Sequence, residues 1–173
     1  DAKNVKQSKG TRTDTMMLFK ANLDTGEIDL LSIPRDTRVL VRGKEDKINH
    51  AHAYGGPSMT MQTVRDFLNL DIDYYVKVDY KVVMEVVEKI GGVTIDVPRD
   101  MKYDDTTEGK EFHVDLKEGE QTLNGDQAIQ FLRWRKNNDG TGYPEGDVGR
   151  IQAQQSFMKE IIKQSLSPKN VLK

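Results

Sequence analysis

Cysteine is absent from all 173 residues. That excludes disulfides, thiolate metal sites and a cysteine nucleophile. Long apolar runs are missing too: none approaches the roughly 18 to 20 residues needed to cross a bilayer. Nor is there an excess of positive charge. Lys and Arg number 26 against 28 Asp and Glu, for a net charge of -2, so nucleic acid is not the default partner. An anion site in such a chain has to be a local basic cluster. No G-x-x-x-x-G-K-[ST], G-x-G-x-x-G or G-x-S-x-G is present, which leaves a P-loop, a dinucleotide fingerprint and a nucleophile elbow unsupported.

The length suits one domain around one full-sized core. Two apolar runs around Asp24-Thr25-Gly26 predict a hairpin, and the stretch 35 to 56 reads as irregular. Gly55-Gly56 reads as a turn before a helix that opens on Pro57. "DYYVKVD" (73–79) alternates like a strand, and "YKVVMEVVEKI" (80–90) has a helical stripe stopped by Gly91-Gly92. "VTIDVP" (93–98) reads as a strand and 99–115 as a polar, exposed excursion. Asn124 is placed to cap a helix with Leu123 stapling it. A last helix runs from Asp147. Strands and helices alternate through the middle of the chain, which favours a mixed sheet flanked by helices.

Arginines border the loops. In "LLSIPRDTRV" (30–39) a run fit for a buried strand ends at Pro34, and Arg35 follows with no polar lead-in. Arg133 and Arg135 stand two apart around Trp134, so in an extended segment both point one way and the indole the other. Two planar forks on one face match the oxygens of a phosphate or pyrophosphate. Arg150 and Gln154 are four apart on the last helix and share a face. The bland alternative is that these arginines are solvated or paired with acids, as most are. In the basic run from Arg35 to Lys47, Arg35 and Lys47 are the two candidates to turn inward. Asp14, between Thr13 and Thr15 at the entrance of a strand, is either a hard-cation ligand or an Asx-type turn. His50 and His52 would align on a strand, but further ligands for zinc are lacking.

"RTDTMMLF", "LLSIPRDT", "DKINHAHAYGG", "IDYYVKVD", "IGGVTIDVP", "LNGDQAIQFLRWRK" and "GDVGRIQAQQSFMK" occur in this order. Together they resemble the LytR-CpsA-Psr family, from about residue 10 to 166. The resemblance implies an α/β fold, an α-β-α sandwich with a central mixed β-sheet flanked by helices, here as a single catalytic domain. It implies a phosphotransferase that moves an anionic glycopolymer of teichoic acid or capsule type. The donor is a polyprenyl pyrophosphate carrier and the acceptor is peptidoglycan. The reaction is assisted by Mg2+, on the extracytoplasmic face of the cell membrane, with no nucleic-acid partner.

Carried over residue by residue, Asp14 matches the magnesium-linked aspartate and Arg12 the basic residue two before it. Arg35 matches a pyrophosphate arginine, and Arg133 and Arg135 match the paired arginines. Asp147, Arg150 and Gln154 match the "D..R...Q" that opens the last helix. Lys47 joins them as a substrate-binding candidate. Asp1 is the candidate second metal ligand. The strand that would precede it, and a membrane anchor, are expected to lie outside this sequence. The loop 136–146 looks longer than the family's, so its conformation is not carried over. Two alternatives use the same residues: a pyrophosphatase releasing the glycan, and a non-catalytic domain that binds polyprenyl pyrophosphate.

Overall fold

The computed structural model describes residues 12–22, 25, 27–109, 111–165, 167 and 170. The chain divides into two compact units, Asp1–Lys77 and Val78–Lys173, described separately below.

In the first unit, β1 (Met16–Ala21) and β2 (Ile28–Ile33) pair antiparallel, with Met16 opposite Ile33 and Ala21 opposite Ile28. This is the hairpin expected around Asp24. A second hairpin, β3 (Arg38–Val41) and β4 (Lys44–Lys47), occupies part of the stretch read as irregular. Its turn is Arg42-Gly43, both left-handed (φ 54° and 77°). Two successive left-handed residues follow the twist of a hairpin, but the usual first residue is Asn or Asp. Arginine there hid the signal. α1 (His50–Leu68) is broken at Gly55-Gly56, where the backbone leaves helical angles and Pro57 opens the second segment. Met16, Ile33, Val39, Val41, Ile48, Ala51 and Val64 form the core of this unit.

Residues 71–79 join no ladder, which corrects the strand expected at 73–79. Tyr74 and Val76 are 88% and 85% exposed. Alternation supplies a strand-compatible face, but a strand also needs a partner for its backbone groups.

The second unit begins with α2 (Tyr80–Ile90), then β5 (Val93–Val97), β6 (Met101–Asp105), β7 (Phe112–Leu116) and β8 (Gly119–Leu123). α3 (Gly125–Arg133) and α4 (Asp147–Ser165) complete it. β5 pairs with β8 and β6 with β7, both antiparallel. The β6–β7 hairpin replaces the excursion expected at 99–115. One face of it is polar, but Met101, Val114 and Leu116 on the other are buried. Gly91 ends α2 in a left-handed cap (φ 85°). Asn124 caps α3, its side chain accepting from the Gln127 N–H while Gln127 reaches back to the Asn124 N–H. Gly125 has no room for a side chain: a Cβ would stand 2.5 Å from Met84 on α2. α2 and α3 therefore pack closely, and Glu88 accepts from the Gly125 N–H at 2.7 Å. Val87, Val93, Leu123, Phe131, Trp134 and Phe157 are among the buried core. Each large apolar side chain so buried contributes about 1.5–3 kcal/mol.

The class is the mixed α/β read from the sequence. Every ladder among the described residues is antiparallel and two-stranded, a finer pattern than the mixed sheet expected. Among them no helix is long and apolar enough to cross a membrane.

Candidate functional site

In the first unit, Pro34 begins a turn closed by the Thr37 N–H on its carbonyl at 2.9 Å. Arg35 and Asp36 sit at the turn's centre, at the end of β2. The Arg35 guanidinium reaches Asp14 just before β1, NH1 to Oδ1 at 2.9 Å. Its Nε lies 3.6 Å from Asp36, and Asp36 also takes Lys47 Nζ at 2.6 Å. The Lys47 hydrogen bond, with smaller help from Arg35, holds the Asp36 carboxyl below the usual range. Lys47 thus serves Asp36. Arg12 is exposed, and its charge is felt at Tyr54. Asp1 lies outside the described residues.

His50 and His52 lie on α1, which corrects the strand alignment expected of them. His50 Nδ1 meets Asp46 Oδ1 at 2.7 Å, and the Tyr54 hydroxyl donates to Asp46 Oδ2 at 2.9 Å. Among the described residues no three His, Asp or Glu side chains gather as a metal cage.

In the second unit, Arg133 is the last residue of α3. Trp134 follows in extended conformation (φ -61°, ψ 138°) and turns inward, 1% exposed. Arg133 and Arg135 both stay at the surface, the division expected from their spacing although Arg133 still belongs to the helix. Neither side chain makes an ion pair or hydrogen bond among the described residues. Arg133 instead lies over the Phe112 ring, 3.8 Å from its centre, with the Tyr80 ring at 5.8 Å. Gln154 of α4 donates to the Leu132 carbonyl at 3.2 Å, so α4 is tied to the residue before Arg133. Arg150 stands one turn back on the same face of α4. Its NH2 meets Asp147 at 2.5 Å, and its side chain is 20% exposed. Asp147 therefore orients Arg150.

The loop after Trp134 is stitched to β6 by asparagines that no sequence pattern singled out. Asn137 Oδ1 accepts from the Lys102 N–H at 2.6 Å and from the Trp134 indole N–H at 3.1 Å. Asn138 bonds both the N–H (2.7 Å) and the carbonyl (2.9 Å) of Asp104. The only hint was a Gly- and Asn-rich composition. Phe112 and Tyr80 were missed for a similar reason, since both lie far from Arg133 in the chain.

The LytR_cpsA_psr family model matches residues 1–173. The polyisoprenyl-teichoic acid–peptidoglycan teichoic acid transferase TagU of Bacillus subtilis is 37% identical over 164 residues, covering 94% of this chain and 49% of that protein. The chain thus spans about half the length of the curated relatives it matches. The crystal structure of B. subtilis TagV superposes with a TM-score of 0.75 at 33% identity, over 97% of this chain and 62% of that one. A structure of TagT bound to LIIa-WTA gives 0.70 at 30% identity, over 93% and 67%. The chain belongs to the LytR_cpsA_psr family.

Proposed function

We propose that this chain transfers an anionic glycopolymer from a polyprenyl pyrophosphate carrier to peptidoglycan, at the extracytoplasmic face of the membrane. One observation carries the reading beyond family membership. Arg133 and Arg135 have no acidic partner among the described residues of a chain rich in acids, while Trp134 anchors the backbone between them. Arg133 is held further by the Phe112 ring, and two uncompensated guanidinium groups on an anchored backbone suit an oxyanion. TagU is named for teichoic acid transfer, and TagT has been solved with LIIa-WTA.

In the proposed reaction an acceptor hydroxyl of peptidoglycan attacks the phosphorus on the glycan side of the diphosphate, and its proton passes to solvent as the new P–O bond forms. The bridging P–O bond breaks, and polyprenyl phosphate leaves with its electron pair. Phosphoryl transfer asks chiefly for positioning and charge neutralisation. Arg133, Arg135 and Arg150 bind phosphate oxygens and the charge that grows on the leaving group. Arg35 is assigned the same task, and Asp14 holds its guanidinium in place. Arg12, Lys47, Asp147 and Gln154 support these groups. Mg2+ suits the donor chemistry, because it commonly takes one or two carboxylates and completes its shell from substrate phosphates and water. Asp14 is the described carboxylate for that role, and the ion would neutralise phosphate charge there. Asp1 remains the proposed second ligand.

The experiment is transfer from a lipid-linked teichoic acid precursor onto peptidoglycan, with Mg2+ or with chelator. Glycan attached to peptidoglycan is the expected product. Free glycan phosphate, formed equally with and without acceptor, would mean a pyrophosphatase instead. Binding without turnover would mean a carrier-binding domain.

A further inference from the structure

The Arg135 side chain makes no ion pair or hydrogen bond among the described residues, so its place is set through its backbone. Residues 136–142 fold back on themselves just after it. Lys136 and Gly142 form an antiparallel bridge, and the Asn137 N–H donates to the Thr141 carbonyl at 2.7 Å. The tip turns at Gly140, whose φ is 89° and whose N–H donates to the Asn137 carbonyl at 3.0 Å. Asp139 Oδ1 accepts from the N–H and the hydroxyl of Thr141 at 2.8 and 2.6 Å. The returning arm closes against Arg135: a Cβ at Gly142 would stand 2.9 Å from the Arg135 carbonyl oxygen.

This small hairpin is fastened to β6. In the β6–β7 ladder Asp104 lies opposite His113, and both of its backbone groups point to the outer edge. The Asn138 side chain meets both there. Its Oδ1 accepts from the Asp104 N–H at 2.7 Å, and its Nδ2 donates to the Asp104 carbonyl at 2.9 Å. One primary amide thus stands in for the peptide group of a neighbouring strand. On the other side of the ladder, β7 carries Phe112, on which Arg133 stacks. The same two strands therefore fix the platform under Arg133 and, through Asn138, the hairpin that follows Arg135.

We infer that Asn138 is a positioning residue: it holds Arg135 at a fixed offset from Arg133, so that the two forks receive the two phosphoryl groups of one diphosphate together. This rests on the proposed transferase reading. It adds to that reading a residue from the loop that the family resemblance could not describe. Asn138 spends its amide on Asp104 and acts on the anion only through Arg135. A monophosphate needs one fork and is indifferent to the offset. A diphosphate needs both at once, and small displacements of positioned groups are then expensive.

The test measures binding of inorganic phosphate and inorganic pyrophosphate to the whole chain by calorimetry. Wild type should prefer pyrophosphate. Asn138→Ala should bind phosphate as wild type does, but pyrophosphate about tenfold more weakly, a loss the size of one charge-assisted hydrogen bond. Trp134 is the sole tryptophan, and its unchanged emission should show that the start of the loop is still anchored. Gly142→Ala displaces Arg135 from the other side and should give the same selective loss; it decides the matter if Asn138→Ala unfolds. Adding Asn138→Ala to Arg135→Ala should cost nothing more, because a residue that acts through Arg135 has no effect once Arg135 is gone. If Asn138→Ala keeps the wild-type affinity for pyrophosphate, weakens both ligands alike, or adds its full effect to Arg135→Ala, Asn138 only stabilises the loop and the transferase reading stands. If wild type shows no preference for pyrophosphate, the paired forks themselves are wrong and the inference falls with them.

Discussion

The guanidinium carbon of Arg133 sits 3.8 Å above the centre of the Phe112 ring. Stacking occupies the flat face of the cation and leaves its in-plane N–H groups for an oxyanion. A cation–π contact at an exposed site contributes about 0.5–1 kcal/mol. Phe112→Ala should therefore weaken pyrophosphate binding by about two- to fivefold. Phe112→Trp should restore it. Arg133→Lys should bind worse than either, because an ammonium keeps the charge but loses the planar fork. Calorimetric titration of the three variants checks the order.

The Arg35–Asp14 pair makes the opposite case, a contact with little weight in stability and much in function. Both partners are substantially exposed, and such pairs contribute about 0–1 kcal/mol. Arg35→Ala should keep its fold, with a thermal midpoint within a few degrees of wild type. Its transfer rate should fall by about tenfold to a hundredfold, the worth of a charged hydrogen bond to phosphate. A folded Arg35→Ala protein that transfers glycan at the wild-type rate removes Arg35 from the machinery.

Local rules carried well from sequence to structure where a residue's role is set by near neighbours. Asn124 capping α3, Gly91 ending α2 and Trp134 turning inward between two arginines were all legible for that reason. Partners distant in the chain were not. Nothing near Phe112 announces that Arg133 will lie on it, and nothing near Asn137 announces Lys102. The strand expected at 73–79 failed because alternation does not supply a hydrogen-bonding partner. The β6–β7 hairpin was overlooked because three of its apolar residues, Met101, Val114 and Leu116, are spaced among charges. The resemblance to relatives supplied residue roles, but the loop 136–146 had to be read from its own contacts.

Asn137 should be the costliest single residue in that loop. Its Oδ1 serves the Lys102 N–H and the Trp134 indole, while its Nδ2 donates to Thr141 at 3.0 Å. Asn137→Ala strips the acceptor from the buried indole, and leaving such a donor unmade costs about 1–3 kcal/mol. For a chain of this size that lowers the melting temperature by about 2–10 °C. Trp134 emission should shift to the red as the loop loosens. Asn137→Asp keeps the acceptor and loses the donor, so it should fall between the two. Paired thermal melts and emission spectra read both effects.

Asp100 gives the fold a pH dependence with a definite sign. It accepts from the Glu118 N–H at 2.9 Å and from Lys117 Nζ at 3.0 Å. The backbone bond, then the lysine, hold its folded pKa below the ordinary carboxylate value. Between those two values the unfolded chain binds more protons than the folded one, so stability rises with pH there. The contribution is complete above about pH 4, the ordinary value, and is lost as pH falls through the lowered one. Asp36, held down chiefly by Lys47, and Asp46, held down chiefly by the Lys47 N–H, act with the same sign. The Lys117 pKa is raised, mainly by its hydrogen bond to Asp100. Its share is complete below about pH 10.4, the ordinary lysine value, and vanishes above the raised one. Asp100→Asn removes both ends of this window at once. Urea melts of wild type and variant should therefore differ by a constant amount between about pH 5 and 9. The difference should shrink in acid and again in strong base; a gap that stayed constant below pH 4 would mean the carboxylate's charge contributes nothing.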